Sequence, residues 1–216
     1  MPQIGDILDT FFSPFSSEKL WIMPENDNYT KIVRTWQPVV NSTIRIKASL
    51  KIDCVKWSKN FRSDPKWKPS KTDNPKARAH RDFVPSPPGT DPATCKSAFI
   101  VYVSSKAVKA AAAPLSPTMR LFPEIQTRNL YTCSVGSFNI YTTVDAIDCT
   151  KKTASVNFWM YNSMSKRSFG KFASHPAFAL SGMKTQFMWW NWIENVDWSS
   201  GKMSVAPRSK LAKPSG

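Results

Sequence analysis

The stretch from Thr43 to Trp57, TIRIKASLKIDCVKW, constrains the fold of this chain more than any other. Its apolar side chains recur at every second position, at Ile44, Ile46, Ala48, Leu50, Ile52 and Cys54. A period of two residues is typical of a β-strand with one buried face and one face in water. The polar face carries three cations, Arg45, Lys47 and Lys51. We therefore expect a β-sheet protein that presents a cationic surface.

Patterns elsewhere in the chain predict further strands. We expect them at 31–40, 98–103, 130–135, 138–144 and 154–161. The first is an edge strand, because Pro38 cannot donate to a ladder. The segment 184–198 fits a helix or a strand. About six to eight short strands joined by long loops indicate a mainly β fold, and we predict an antiparallel β-sandwich, of which the jelly roll is one form.

The ends of the chain differ from its middle. A helical stripe predicts a short amphipathic N-terminal helix that ends near Ser13 and Pro14, and its apolar members are Ile4, Ile7, Leu8, Phe11 and Phe12. We expect an acidic arm with this helix over 1–30, a single β-sandwich domain over 31–198, and a flexible basic tail over 199–216. Within the domain, residues 58–97 show no helix or strand pattern and predict a long basic loop rich in proline.

The formal net charge is +15, and it is unevenly placed. Residues 45–82 hold twelve Lys and Arg against four Asp, whereas residues 1–30 hold five acids against one Lys. A field of this sign favours polyanions such as nucleic acid or an anionic membrane. The alternative is a basic protein whose charge serves solubility alone. Opposite patches on one chain also suit self-association.

Basic and aromatic residues interleave after the alternating stretch and form a candidate nucleic-acid interface. The candidate binding residues are Arg45, Lys47, Lys51, Lys56, Lys59, Arg62, Lys66, Lys68, Lys71, Lys76, Arg78, Arg81, Lys202, Arg208, Lys210 and Lys213, and the candidate stacking residues are Trp57, Phe61 and Trp67. Cations neutralise phosphates and aromatic rings stack on unpaired bases, so we predict sequence-nonspecific binding of a single strand. The alternative is a solvated cationic loop whose aromatic side chains pack on their own sheet.

Two apolar clusters are candidates for a subunit interface in a homo-oligomer. Their members are Ile4, Leu8, Phe11, Phe12, Trp189, Trp190 and Trp192. The N-terminal helix packs either on its own domain or on a neighbouring subunit. The tryptophan cluster fits a core, a subunit interface or a belt at a membrane surface.

The usual groups of a catalytic site are missing or isolated, so we predict a non-enzymatic protein without a cofactor. His80 and His175 stand apart, and we expect His80 to be solvated in the charged loop. Gly-rich phosphate loops and a nucleophile elbow are absent. Asp145 and Asp148 fit a turn after a strand better than a pair of catalytic carboxylates.

The four cysteines, Cys54, Cys95, Cys133 and Cys149, share no CxxC spacing. We therefore expect no metal site and predict free buried thiols in a reducing compartment. No apolar stretch approaches the roughly 18–20 residues of a membrane span, and the N-terminus lacks the features of a signal peptide.

The cationic strand, Pro-rich loops, terminal arms and positive charge together resemble the jelly-roll coat proteins of small viruses. The resemblance implies a self-assembling structural protein bound to nucleic acid, in a virion or the host cytoplasm. Because the N-terminal arm is acidic rather than rich in Arg, the loop 56–82 or the tail 202–213 would bind the nucleic acid. The alternatives are a membrane-active β-sandwich with its tryptophans at the lipid interface, and a small nucleic-acid-binding accessory protein of movement or silencing type.

Overall fold

Helices and strands contribute almost equally to the described part of this chain. The structure, a computed structural model, describes residues 4–13, 15, 17–73, 78–84, 95, 99–100, 102, 133–165 and 183–206. The helices are α1 (Ile4–Phe12), α2 (Asn28–Arg34), α3 (Gln37–Ile52) and α4 (Cys54–Asn60). The strands are β1 (Lys19–Met23), β2 (His80–Val84), β3 (Phe138–Asp148), β4 (Thr153–Met164), β5 (Gln186–Asp197) and β6 (Ser204–Ala206). Contacts group the chain into two units, the first of 1–21, 85–137 and 162–188, the second of 22–84, 138–161 and 189–216.

The six strands form one open sheet in the order β1-β5-β4-β3-β2, with β6 paired to β5. The β2–β3, β3–β4 and β5–β6 pairs are antiparallel. The strands predicted at 138–144 and 154–161 are confirmed within β3 and β4, and the undecided segment 184–198 forms β5. A sandwich needs a second sheet packed on the first. None is seen over the described ranges, so a partly β fold is confirmed and the sandwich is not.

In the second unit, helices α2, α3 and α4 lie on one face of the sheet. Alternate residues of β4 from Ala154 to Met160 are buried on this face. Helix α2 contacts it through Tyr29, whose ring meets that of Trp190 at a centroid distance of 5.1 Å. Helix α4 contacts it through Trp57, whose ring lies 5.4 Å from that of His80 on β2. We call this the helix-covered face.

The opposite face of the same strands is covered by the segment Phe61–Asp73, which begins beside Val144 of β3, where Phe61 itself still packs on Trp57 and His80. On this face Tyr141 of β3 pairs with Trp159 of β4, and Thr143 pairs with Asn157. The ring of Trp67 in the covering segment lies 4.8 Å from that of Trp159. We call this the loop-covered face.

The strand predicted over Thr43–Trp57 is wrong, because this stretch forms α3 and α4. The buried residues of α3 are Val39, Ser42, Thr43, Ile46 and Leu50, which follow a helical spacing. Two of them, Ser42 and Thr43, are polar, so the pattern of hydrophobic residues in the sequence does not reveal the buried face of the helix. Ile44 and Ile52, which carried the alternation, are 55% and 84% exposed. Asp53 separates the helices and accepts a hydrogen bond from the backbone N–H of Lys56, capping α4.

The edge strand predicted at 31–40 is also wrong. Residues 31–34 belong to α2, and Pro38 lies in the first turn of α3. Proline is tolerated there, because the N–H that it lacks would have no partner within the helix. Asp27 caps α2 by accepting a hydrogen bond from the N–H of Tyr29.

Three further expectations are wrong at some or all of their described residues. The loop predicted at 58–97 contains the end of α4 and the whole of β2. Phe99, Ile100 and Tyr102, in the strand predicted at 98–103, are helical, and so are residues 133–135 of the strand predicted at 130–135. The other residues of those two segments lie outside the described residues. The predicted N-terminal helix is confirmed as α1, which ends at Phe12.

The prediction of free thiols is wrong. Cys54 is bonded to Cys149, and Cys95 is bonded to Cys133. The first bond joins the start of α4 to the turn after β3 and lies within the second unit, and the second lies within the first unit. Cysteines far apart in sequence carry no spacing signal, so only the fold brings these pairs together.

Candidate functional site

The segment Phe61–Asp73 is held on the loop-covered face by hydrogen bonds along its length. The Val144 N–H donates to the Phe61 carbonyl at 2.7 Å, and the Ser63 N–H donates to the Val144 carbonyl at 3.3 Å. Further along, the indole Nε1 of Trp189 donates to the Ser70 carbonyl at 2.8 Å. A segment without regular structure is therefore fixed to β3 and β5 at several points.

Asp73 anchors the end of this segment. Its carboxylate accepts hydrogen bonds from the Tyr141 hydroxyl at 2.6 Å and from Asn139 Nδ2 at 2.8 Å. Arg81 lies 3.5 Å from the same carboxylate. Burial, and then the hydrogen bond to Asp73, raise the pKa of Tyr141. The hydroxyl therefore stays protonated and acts as a donor.

A pocket of about 460 Å³ lies between this segment and the sheet. Its volume falls within the range of small-molecule sites. Its lining is Ser63, Asp64, Pro65, Trp67, Ala79, Tyr141, Thr143, Asp145, Asn157 and Trp159, all of the second unit. The lining combines aromatic rings with hydroxyl, amide and carboxylate groups, and it contains no cation.

Several polar groups of the pocket take part in hydrogen bonds. Ser63 Oγ donates to the Asp145 carboxylate and lies 2.6 Å from Thr143 Oγ1. Asn157 Oδ1 accepts a hydrogen bond from Asn191 at 2.6 Å. Asp145 sits where the β3–β4 register shifts between Val144 and Ala146. A bulge of this kind re-aims a side chain, which explains how Asp145 joins the lining.

Trp67, Trp159 and Trp189 form an aromatic cluster on this face. The Trp67 ring meets the other two edge to face, at 4.8 and 5.3 Å. Trp189 is fully buried, whereas Trp67 and Trp159 are half-buried. The two half-buried rings therefore keep surface that a ligand can reach.

The cations predicted on the alternating stretch make contacts within the protein. Arg45 pairs with Asp82 at 2.8 Å, and Lys47 pairs with Glu194 at 2.8 Å. Lys51 donates to the Gly201 carbonyl at 2.5 Å. Of these three, Lys47 is mostly buried, so it belongs to the packing of α3 on β5.

The cations from α4 onward are placed differently. All the described ones are exposed, namely Lys56, Lys59, Arg62, Lys66, Lys68, Lys71, Arg78 and Arg81. For Arg62, Lys66 and Lys68, no ion pair is found with any residue that the structure describes. Lys202 is exposed as well, and Lys76, Arg208, Lys210 and Lys213 lie outside the described residues.

The three predicted stacking residues have different surroundings. Trp57 is 1% exposed and its Nε1 donates to Ser49 at 3.2 Å, so its ring is closed to a base. Phe61 packs on Trp57 at 4.6 Å and on His80 at 5.5 Å. Trp67 alone lines the pocket.

The expectation that His80 is solvated is wrong. Its ring packs against those of Trp57 and Phe61, which also contact each other, and it is half-buried. Burial lowers the pKa of His80, with nearby Asp82 opposing the shift and Lys56 adding to it. The neutral form is therefore favoured in the folded protein.

The residues predicted for a subunit interface lie mostly in the core. Ile4, Leu8 and Phe11 of α1 are at most 4% exposed, and Phe12 is half-buried beside Phe99. Trp189, Trp190 and Trp192 are at most 1% exposed. Of the interpretations left open for each cluster, the structure thus supports packing on the chain's own core.

The interpretation of Asp148 as a turn residue is confirmed. Its carboxylate accepts hydrogen bonds from the N–H groups of Thr150 and Lys151 at 3.0 and 2.9 Å. These bonds, the one from Lys151 first, lower the pKa of Asp148. Asp145 instead lines the pocket, a role that the sequence patterns did not predict.

The sequence patterns also missed Tyr141, Thr143, Asn157 and Trp159 as site residues. All four lie on the loop-covered face of the alternating strands at 138–144 and 154–161, which the sequence did predict. Polar and aromatic residues on the face opposite a hydrophobic one were the available signal.

No family model, curated protein or solved structure is detectably similar to this chain. Among the described helices, none is long and apolar enough to cross a membrane. The site therefore has to be interpreted from its own chemistry.

Proposed function

We propose that this protein binds single-stranded nucleic acid without sequence preference, through the exposed cations of the segment Phe61–Asp73, and that it is not an enzyme. One observation carries the proposal. Arg62, Lys66 and Lys68 are exposed on a fixed segment, and no ion pair is found for them among the described residues. Cations in this state can neutralise phosphates and release their counterions.

The acids of the same region support this interpretation. Asp53 and Asp64 accept hydrogen bonds from the backbone N–H groups of Lys56 and Lys66, while Asp73 and Asp82 bind side chains. Each of these carboxylates stabilises the local structure, and its negative charge is included in the net charge of the region. Because cations exceed acids by eight over residues 45–82, the field favours a polyanion.

Fluorescence anisotropy with a labelled single strand of mixed sequence tests the proposal. Each phosphate contact with a single strand adds about 0.7 to the slope of log affinity against log salt. The triple variant R62Q/K66Q/K68Q should therefore lower the slope by about 2 and weaken binding by about tenfold or more at moderate salt.

A matched control removes the same charge elsewhere. The variant K31Q/K151Q/K184Q replaces three exposed lysines outside the segment. It should leave the slope nearly unchanged. Equal losses in both variants, or salt-insensitive binding by the wild type, would contradict the proposal.

Self-assembly into a shell, which the resemblance to coat proteins implies, remains a separate prediction. Size-exclusion chromatography that records both nucleic-acid and protein absorbance tests it. A very large species with excess nucleic-acid absorbance would support a coat-like protein. A small species that still binds oligonucleotide would favour the accessory type of protein.

A further inference from the structure

We infer that the pocket on the loop-covered face takes one unpaired base of the bound strand, while the phosphates beside it contact the cations around the pocket. This inference rests on the proposed function and adds a base-binding subsite to it. Three properties of the pocket carry it: the placement of charge, the hydrogen-bonding groups and the exposed rings.

Charge is divided between the lining and its immediate neighbours. Lys66 and Lys68 flank Trp67 in the chain, Arg62 precedes Ser63, and all three cations are exposed. The lining itself holds two carboxylates, those of Asp64 and Asp145, and no cation. Phosphate is therefore favoured around the pocket and disfavoured inside it. A nucleotide, with an anionic phosphate and a neutral base, has the same division.

The lining offers both an acceptor and a donor to the edge of a base. Asp145 is exposed, and only one of its oxygens accepts the hydrogen bond from Ser63. The carbonyl of Asn157 is bonded to Asn191, while its Nδ2 has no partner over the part of the chain that the structure describes. A carboxylate accepts from exocyclic amino groups, and an amide donates to ring nitrogens or carbonyls.

The rings provide the stacking surface. Trp67 and Trp159 are half-buried and both line the pocket, so part of each ring is accessible from it. Every base has a ring face that can stack, so this contact needs no particular sequence. The pocket volume of about 460 Å³ is ample for one base.

Two oligonucleotides of equal length and charge test the inference, one normal single strand and one in which every base is removed. The abasic strand keeps its sugars and phosphates, so it isolates the contribution of the bases. The wild type should bind the normal strand at least about tenfold more tightly than the abasic strand. Trp159→Ala should abolish most of this preference and leave affinity for the abasic strand nearly unchanged.

Two further variants complete the experiment. Trp67→Ala gives the same measurement on the other ring, which matters if Trp159→Ala fails to fold. Trp36→Ala, a half-buried tryptophan that packs on Phe138, is the control and should keep the preference.

The outcomes separate the two proposals. If neither strand binds, the proposed function fails and the inference fails with it. If the wild type binds both strands equally, the cationic surface is supported and the base-binding subsite is overturned. A pocket that binds the sugar instead of the base would give this same result, because both strands keep their sugars. An unchanged preference in a folded Trp159→Ala or Trp67→Ala variant would also overturn it.

Discussion

The two faces of the sheet in the second unit use the same residue types for different purposes. On the helix-covered face, Lys47 is mostly buried and pairs with Glu194. On the loop-covered face, Lys66 and Lys68 are exposed without an ion pair to any described residue. The charge of a lysine is the same in both places. What differs is the covering element, because the packed helix α3 places its cations against acids of the sheet, whereas the segment Phe61–Asp73 leaves its cations exposed to water.

The aromatic residues show the same contrast. Trp190 on the helix-covered face is fully buried against Tyr29, whereas the loop-covered face has both the fully buried Trp189 and the half-buried Trp159 beside a pocket. Composition alone therefore does not separate a residue that serves the fold from one that is available to a ligand. Changes on the first face should alter stability, and changes on the second should alter binding.

The largest expected loss of stability is at Glu194, whose carboxylate is 2.8 Å from Lys47 and also accepts from Trp192 Nε1 at 3.2 Å. Glu194→Ala leaves a mostly buried cation without this partner. Breaking a buried pair in this way costs about 3–5 kcal/mol of unfolding free energy. Urea denaturation followed by tryptophan fluorescence measures it.

The exposed pair of Arg45 and Asp82 is the control for Glu194. Its arginine side chain is 61% exposed, so Arg45→Ala should cost less than about 1 kcal/mol. A loss at Glu194 as small as that at Arg45 would show that the two faces do not differ as described.

A smaller loss is expected when the Cys54–Cys149 bond is removed. The bond joins α4 to the β3–β4 turn across 95 residues of sequence. The double variant C54S/C149S should lose about 2–4 kcal/mol of unfolding free energy, since the unfolded chain is less constrained. Affinity for a single strand should change little, because the hydrogen bonds that hold Phe61–Asp73 on the sheet remain.

A thiol assay on the unfolded protein, without reductant, checks the bonds themselves. We expect no free thiol, because both pairs are bonded in the structure. Such bonds persist in oxidising surroundings, so this result would favour a location outside a reducing cytosol. Four reactive thiols would contradict the structure at these residues.

The smallest expected effect is a dependence of stability on pH from His80. Its pKa in the folded protein is below the ordinary value of about 6.5, so the unfolded chain binds the proton more readily. Stability from this residue is therefore full above about pH 6.5 and falls as the pH drops toward the folded pKa. Urea midpoints at about pH 7.5 and 5.5 should differ more for the wild type than for His80→Gln.

The comparison with His80→Gln isolates this residue, because His175 and the carboxylates are present in both proteins. An equal change in both midpoints would mean that burial against Trp57 and Phe61 does not disfavour the charged ring.

The sequence predicted those elements whose buried residues are apolar and regularly spaced. Strands β3 and β4 and helix α1 meet this condition. Helix α3 does not, because Ser42 and Thr43 belong to its buried stripe while Ile44 is exposed. A pattern of hydrophobicity then favours the wrong period.

The site was predictable only in part, for a physical reason. The exposed cations of 56–81 follow from composition and local polarity. Ion pairs between residues far apart in sequence cannot be predicted in this way. Lys47 and Glu194, for example, are 147 residues apart. The pocket likewise depends on the pinning of Phe61–Asp73 across the sheet, which only the folded chain reveals.

Hydrogen exchange with and without a single-stranded oligonucleotide shows which of the two faces binds the strand. We predict that the strand slows exchange at the backbone amides of Phe61–Asp73 and leaves α3 unchanged. Slower exchange in α3 with no change in Phe61–Asp73 would contradict the account.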